Sequence, residues 1–493
     1  MHSPRHPLKM LAGQTAVYGM GTIVPRLLNY LLLTPFYTRV FQQGEYGMVT
    51  ELYAYVAFLM VLLTYGMETS FFRFADSSKG EGTENKVYTT ALTALLFTSG
   101  FFILLMGLFY RDVAGWIEYS ANPEYIILFS LIVGIDAFAA LPFARLRQQN
   151  RALRFASIKV VNVLVNIGFN LFFLVVCPRW LAAHPEGWLS GIYDPGFGVG
   201  YAFLANLIAT LVTFLLLIPD FTGLRWAFDI SLLKKMLRYA LPLLIVGLAG
   251  MVNEVSDKLL LKHLLPNPDT ALAQLGVYGA NYKLAVLMTL FIQMFRYAAE
   301  PFFFSQAREL KARETYALVM KYFILFGWLI FLGVMLFLDV VKFFIGPDFR
   351  DGLHIVPIVL LANLFLGVFY NLSVWYKLND LTRYGALLAV LGSLITLGML
   401  FTLIPLIGYR GAAWAHFACY GTMMVLSYFW GKKHYPIPYD LRGIGFYSLL
   451  ALGIYALSEA LPVPGLIMPV MVNGVLLIGF AGVVWIREKK GFL

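Results

Sequence analysis

Twelve ionisable side chains stand inside runs otherwise built from leucine, phenylalanine, valine and glycine. The basic ones are Arg26, Arg73, Lys258, Lys262, Lys283 and Arg296; the acidic ones are Glu51, Glu68, Asp136, Glu254, Asp257 and Glu300. A guanidinium grips anionic oxygens through paired, charge-assisted bonds, and an ammonium adds a compact point charge, so the basic set is suited to holding an anion. Carboxylates in the same setting suit the carriage of a proton or a sodium ion, and Asp136, Glu254 and Asp257 are the candidates for such coupling. Simple ion pairing competes with both roles. Glu254 and Lys258 lie four residues apart, as do Arg296 and Glu300, the spacing of partners on one helix face. Arg73 and Lys262 fall near the ends of their runs, where a long side chain can reach an aqueous edge. Arg26 and Lys283 have no carboxylate three or four residues away. Arg26 also follows Pro25, which loosens the helix, and shares a face with Thr15, Tyr18, Thr22 and Asn29. A salt bridge to another helix, with Glu68 as partner, is its structural alternative.

The elements that must carry these groups are helices in a bilayer. Only 13% of the 493 residues are charged and 60% are hydrophobic, whereas a soluble domain carries roughly 25% charged residues. Apolar runs near the length of about twenty that crosses a hydrocarbon core recur throughout. Spans are expected near 12–37, 48–73, 88–110, 125–144, 155–177, 197–219 and 240–262. Seven more follow near 276–304, 317–340, 353–376, 385–407, 411–430, 443–461 and 466–486. Continuous stretches such as LLLIVGLAGM exclude the alternating strands of a transmembrane barrel. Basic residues crowd one set of flanks, including Arg145, Arg147, Arg151, Lys234, Lys235, Lys311, Arg313, Lys432 and Lys433. Because such residues stay in the cytoplasm, an even span number puts both termini there. The net charge of +10 is thus topology, and no nucleic-acid partner is expected. Two cysteines, Cys177 and Cys419, offer no metal or redox framework, so no metal site or cofactor is expected beyond a coupling proton or sodium ion, or the membrane potential itself.

The chain also repeats itself. GEYGMVTEL at 44–52 returns as GVYGANYKL at 276–284, an offset of 232 (276 − 44). At the same offset Arg26-Leu27-Leu28 meets Lys258-Leu259-Leu260, Glu51 meets Lys283, and Glu68 meets Glu300 as a candidate symmetric acidic pair. Six spans separate equivalent points, so both copies enter the membrane in one direction, a parallel repeat about an axis along the membrane normal. The expected organisation is an N-lobe over 1–222, a C-lobe over 223–442 and a two-helix appendage over 443–493. Two such lobes facing a central cleft are the plan of a carrier, and Glu51 and Lys283 could pair across it.

The GxYG element after the first span of each half, together with Glu300-Pro301-Phe302, resembles the MOP transporter superfamily. That superfamily holds multidrug and toxin extrusion carriers, lipid II flippases and polysaccharide (O-antigen type) flippases. The opening PRLLNYLLLTPFYTRVFQQGEYG is most similar to the polysaccharide and lipid II branches, in which Arg26 and Arg39 have counterparts. Leu32 and Leu33 stand where lipid II flippases carry an Arg-Asp pair, so the resemblance favours the polysaccharide branch. It implies an all-α polytopic fold of about fourteen spans in a bacterial cytoplasmic (inner) membrane. The implied cargo is a polyprenyl-diphosphate oligosaccharide, with membrane lipids and polysaccharide-assembly enzymes as further partners. Arg26, Asn29, Lys258, Lys283 and Arg296 would bind it, Arg26 and Lys258 clamping the diphosphate from the two lobes. A cation-coupled multidrug exporter is the nearest alternative, although an arginine at the centre of the first span disfavours cationic drugs. A membrane glycosyltransferase or polymerase is more distant. The longest outer connection, 178–196, lacks a carboxylate pair, and no phosphate-cradling glycine loop followed by Lys-Ser/Thr occurs.

Overall fold

Backbone polar groups in a bilayer must be satisfied within their own segment, so long apolar runs fold as helices. The computed structural model describes residues 7–77, 84–221, 224–307, 309–461, 465 and 467–492; side chains at 7–20, 22, 76, 77, 300, 301, 305 and 490–492 lie outside the description. Everything regular among these residues is helical, with no strand. The helices are α1 (Pro7–Val40), α2 (Gln43–Thr64), α3 (Met67–Ser77), α4 (Glu84–Leu108), α5 (Tyr110–Trp116), α6 (Glu124–Gln148) and α7 (Ala152–Leu171). They continue as α8 (Cys177–Ala183), α9 (Gly200–Leu217), α10 (Ile230–Leu264), α11 (Pro268–Leu284), α12 (Val286–Gln306), α13 (Ala312–Met335) and α14 (Leu338–Val341). The last are α15 (Val356–Leu372), α16 (Val374–Leu378), α17 (Thr382–Ile407), α18 (Tyr409–His434), α19 (Leu441–Ala460) and α20 (Ile467–Phe492).

Among the described residues, eleven helical segments are long and apolar enough to cross a membrane, and twelve if the bent pair α11–α12 is one span. The fourteen read from the sequence exceed this by two, because α1 and α18 are not among the twelve. In α18 the apolar run is interrupted by Arg410 and His416 and closes on Lys432-Lys433-His434. The chain is nonetheless an all-helical, multi-pass membrane protein.

Chain contacts divide it into two units. The first holds residues 1–41 and 48–255, the second 42–47 and 256–493. In the first, α1 runs along α7, α7 and α6 flank α9, and α4 packs on α6. Small residues allow the α1–α7 approach: a Cβ on Gly21 would stand 2.8 Å from Ala156 Cβ. Tyr37 Oη donates to Asn170 Oδ1 at 2.8 Å, tying the far end of α1 to α7. Asp229 caps α10, accepting from the Ser231 and Leu232 amides while Lys86 Nζ lies 2.7 Å away.

In the second unit α18 packs against both α15 and α17. The two copies of the repeated motif meet here. A Cβ on Gly276 would fall 1.9 Å from the Gln43 carbonyl oxygen, and one on Gly47 would fall 2.0 Å from the Leu272 carbonyl oxygen. Only glycine permits two backbones so close. Tyr46 packs edge-on against Phe349 beside this crossing, ring centroids 5.4 Å apart. Farther along the unit, Lys321 of α13 bridges Glu488 of α20 at 2.7 Å and Asp440, the N-cap of α19, at 3.1 Å. The two C-terminal helices are thereby fastened to α13.

Candidate functional site

Each unit contains a cluster of charged groups at membrane depth. In the first, Asp136 of α6 faces Lys159 of α7, and Arg26 of α1 lies within electrostatic reach of Lys159. Lys159 Nζ also sits 4.0 Å from the centroid of the Phe143 ring. Asn29 has a buried Oδ1 without a hydrogen-bond donor among the described residues. Of its expected stripe, the side chains of Thr15, Tyr18 and Thr22 lie outside the description. Glu68 bonds to Arg147, which α6 delivers from its C-terminal turn, so the salt-bridge partner of Glu68 is Arg147 and not Arg26 as the sequence suggested. Glu51 is fully buried and accepts from Tyr119 Oη at 2.6 Å. Arg73 is exposed with its guanidinium 4.2 Å over the Tyr239 ring. Glu254, also exposed, lies on α10.

The second unit is built around Asp257, whose side chain is wholly buried. Its Oδ2 accepts from Tyr278 Oη at 2.6 Å and from Lys258 Nζ at 2.8 Å. His416 of α18 brings Nε2 to 2.9 Å from the same oxygen, but off the line of a good hydrogen bond. Lys258 is held from the other side by Tyr282, its ammonium 4.1 Å from the ring centroid. Its chain neighbour Asp257 is thus a carboxylate partner of Lys258 that the four-residue spacing to Glu254 did not nominate. Lys262, expected to reach an aqueous edge, is 6% exposed.

Lys283 stands apart. It is exposed, lies within electrostatic reach of Lys258, and has no ion pair or hydrogen bond among the described residues. It occupies the last turn of α11, immediately before the 52° bend at Ala285 that breaks this span into α11 and α12. Broken helices near mid-membrane expose backbone groups and side chains to a cavity, which is how transporters build binding sites. Farther along α12, the Arg296 guanidinium lies 4.0 Å over the Tyr370 ring, in a pocket shared with Phe303, Ser373 and Lys377. Its expected partner Glu300, also half of the proposed acidic pair with Glu68, has a side chain outside the described residues.

Of the sequence-predicted residues, the structure brings Lys258, Lys283 and Asp257 into one cluster and Arg26 and Asp136 into another around Lys159. Arg296 belongs to a third site. Lys159 and His416 were missed. Lys159, the fifth residue of its expected span, interrupts an apolar run as the other intramembrane lysines do, whereas His416, neutral at pH 7, does not stand out as a charge.

Comparison with known proteins fits this architecture. The chain superposes on a structure described as the lipid II flippase MurJ in an inward closed conformation, TM-score 0.73 at 13% identity, covering 96% of this chain and 100% of the other. An inward-facing multidrug resistance MATE family transporter of the MOP superfamily superposes with TM-score 0.65 at 15% identity, covering 85% and 97%. The fold is that of MOP-superfamily transporters. None of the curated protein sequences compared matches significantly. The family model described as polysaccharide biosynthesis protein matches residues 11–307, more than half of the sequence. The chain therefore belongs to the polysaccharide biosynthesis protein family.

Proposed function

We propose that this protein is a flippase that moves a polyprenyl-diphosphate-linked oligosaccharide from the cytoplasmic to the outer leaflet of a bacterial inner membrane by alternating access, both termini remaining cytoplasmic. The observation that carries the reading is Lys283: an intramembrane ammonium beside Lys258, with no ion pair among the described residues, at a helix break. A charged side chain near the bilayer centre costs roughly 2.5–3.5 kcal/mol on insertion scales, and an anionic cargo gives a reason to keep one there. A diphosphate between a greasy tail and a sugar head is the anion that a polysaccharide-assembly membrane protein would carry. Membership of the polysaccharide biosynthesis family supports this cargo. The likeness to a protein described as a lipid II flippase supports the lipid-linked form.

In this reading Lys258 and Lys283 bind phosphate oxygens in one repeat half and Arg26 with Asn29 does so in the other. Arg296 over Tyr370 receives the cargo farther along α12. For energy, coupling to a proton or a sodium ion, or the membrane potential itself, drives the cycle. Asp257 is one coupling carboxylate, its Oδ2 accepting from Tyr278 and Lys258 with His416 beside it. Asp136, within electrostatic reach of Lys159, and Glu254 are the remaining coupling candidates.

The test is translocation of a fluorescent undecaprenyl-diphosphate oligosaccharide in proteoliposomes, with efflux of a cationic dye measured in parallel. Movement of the lipid-linked sugar without dye efflux supports the flippase. Dye efflux without sugar movement assigns the protein to multidrug export instead.

A further inference from the structure

Two adjoining features of the second unit have no part in that cycle. An apolar groove runs between α13, α15, α18 and α19, lined by residues such as Ile324, Val368, Val425 and Ile444. A basic pocket lies at the end where α13 and α19 begin and α18 finishes, lined by Lys311, Arg313 and Lys432 with the single acid Glu314. Both are bordered by Tyr428 and Tyr439, whose ring centroids are 6.2 Å apart, so groove and pocket are continuous through this pair. We propose that the two together bind one anionic glycerophospholipid of the cytoplasmic leaflet, an acyl chain in the groove and the phosphate in the basic pocket.

Dimensions and charge both fit. From Met320 to Trp328 the groove follows α13 for eight residues, which at 1.5 Å per residue is about 12 Å, close to half of the ~30 Å hydrocarbon core. Its deep end is closed by Trp328 Nε1, which donates to Ser448 Oγ at 2.9 Å. At the mouth, Lys311 and Lys432 make no ion pair among the described residues, and Arg313 is held over the Tyr435 ring at 4.6 Å with its charge unneutralised. Basic pockets between helices on the cytoplasmic side recognise phospholipid head groups, and tyrosines favour the head-group level. A bound lipid would add to the Lys321 bridges in holding α19 against α13, α15 and α18.

Native mass spectrometry of the full-length protein, delipidated in mild detergent and titrated separately with dioleoylphosphatidylglycerol and dioleoylphosphatidylcholine, tests the proposal. We expect one phosphatidylglycerol per chain with at least about tenfold preference over phosphatidylcholine. Lys311→Gln with Lys432→Gln should remove that preference, and Val425→Trp, which fills the groove from an exposed position, should weaken both lipids. Thermal unfolding of each variant establishes that it is folded, and Lys432→Gln alone serves if the double variant is not. Equal binding of the two lipids by the unaltered protein overturns the proposal, as do folded variants with unchanged binding. Displacement of phosphatidylglycerol by equimolar undecaprenyl phosphate also overturns it, because the groove would then belong to the cargo tail. None of these results depends on whether the sugar carrier assay succeeds.

Discussion

Replacing Gly276 by alanine should separate the two copies of the repeated motif. The added Cβ would lie 1.9 Å from the Gln43 carbonyl oxygen and 3.0 Å from the Gly47 nitrogen. Carbon–oxygen contacts under 3.0 Å are essentially never tolerated, so the backbones must part by about 1 Å. Neither opposing atom can rotate away, since both are main chain. A gap of that size forfeits roughly a quarter to a half of each van der Waals contact along the crossing. Overpacking of this kind costs about 1–3 kcal/mol, and main-chain partners put the site at the upper end. Alanine's better helix propensity returns at most about 1 kcal/mol. The expected net loss is about 2 kcal/mol, a factor of about thirty in the unfolding equilibrium. Denaturant titration in detergent micelles measures it, with Gly44→Ala as the control, since a Cβ there meets nothing within 4 Å. That control should be neutral or slightly stabilising. If Gly276→Ala is as stable as the unaltered protein and as Gly44→Ala, the close crossing is refuted.

Other perturbations have definite outcomes. Lys321→Met leaves Glu488 and Asp440 without their shared ammonium and should cost about 1.5–3 kcal/mol, read as a lower unfolding midpoint and faster proteolysis of α19 and α20. Tyr278→Phe removes the 2.6 Å donor to buried Asp257 and should destabilise by a similar amount in the same unfolding assay. Asp229 is held well below the usual carboxylate range, first by Lys86 and then by the Ser231 hydroxyl and the Leu232 and Ser231 amides. Its folded value is depressed, so its contribution is complete above the unfolded pKa of about 4 and is lost only as the pH falls below it. Protection of the amides at 231–233, relative to the intrinsic exchange rate at each pH, should therefore fall on acidification below that value, and Asp229→Asn should show the lower protection already at neutral pH.

Much of the membrane architecture was readable because lipid leaves the chain so few choices. Continuous apolar runs had to be helices, and twelve of the fourteen expected spans coincide with segments long and apolar enough to cross, counting α11–α12 as one. The intramembrane charges were visible for the same reason, since each interrupts an apolar run. Not all of their partners were. Helical spacing nominated Glu254 for Lys258 and could not show that Lys258 also engages its neighbour Asp257 and the Tyr282 ring, contacts set by side-chain rotamers and by the packing of α10 against α11. Glu68 bonds to Arg147, nearly eighty residues away in sequence, and periodicity within one helix cannot reveal that contact. Nor could the repeat disclose that its two copies touch: recurrence of Gly-x-Tyr-Gly indicates common construction, while the approach of Gly47 and Gly276 is a property of tertiary packing. The break at Ala285 left no proline or glycine pair as a signal, only a lysine in an otherwise apolar stretch.

The central claim is that intramembrane cations are kept for an anionic lipid-linked sugar, and Lys283→Gln is the most direct test of it. The measurement is the initial rate of movement of a fluorescent undecaprenyl-diphosphate oligosaccharide in proteoliposomes, against a matched lipid-linked sugar lacking the diphosphate. The account predicts that the unaltered protein moves only the diphosphate-linked form, and that Lys283→Gln, folded by its unfolding midpoint, slows this by about tenfold or more, a charge-assisted contact being worth about 1.5–3 kcal/mol. Equal transport of both sugars, or an unchanged rate in folded Lys283→Gln, would contradict it.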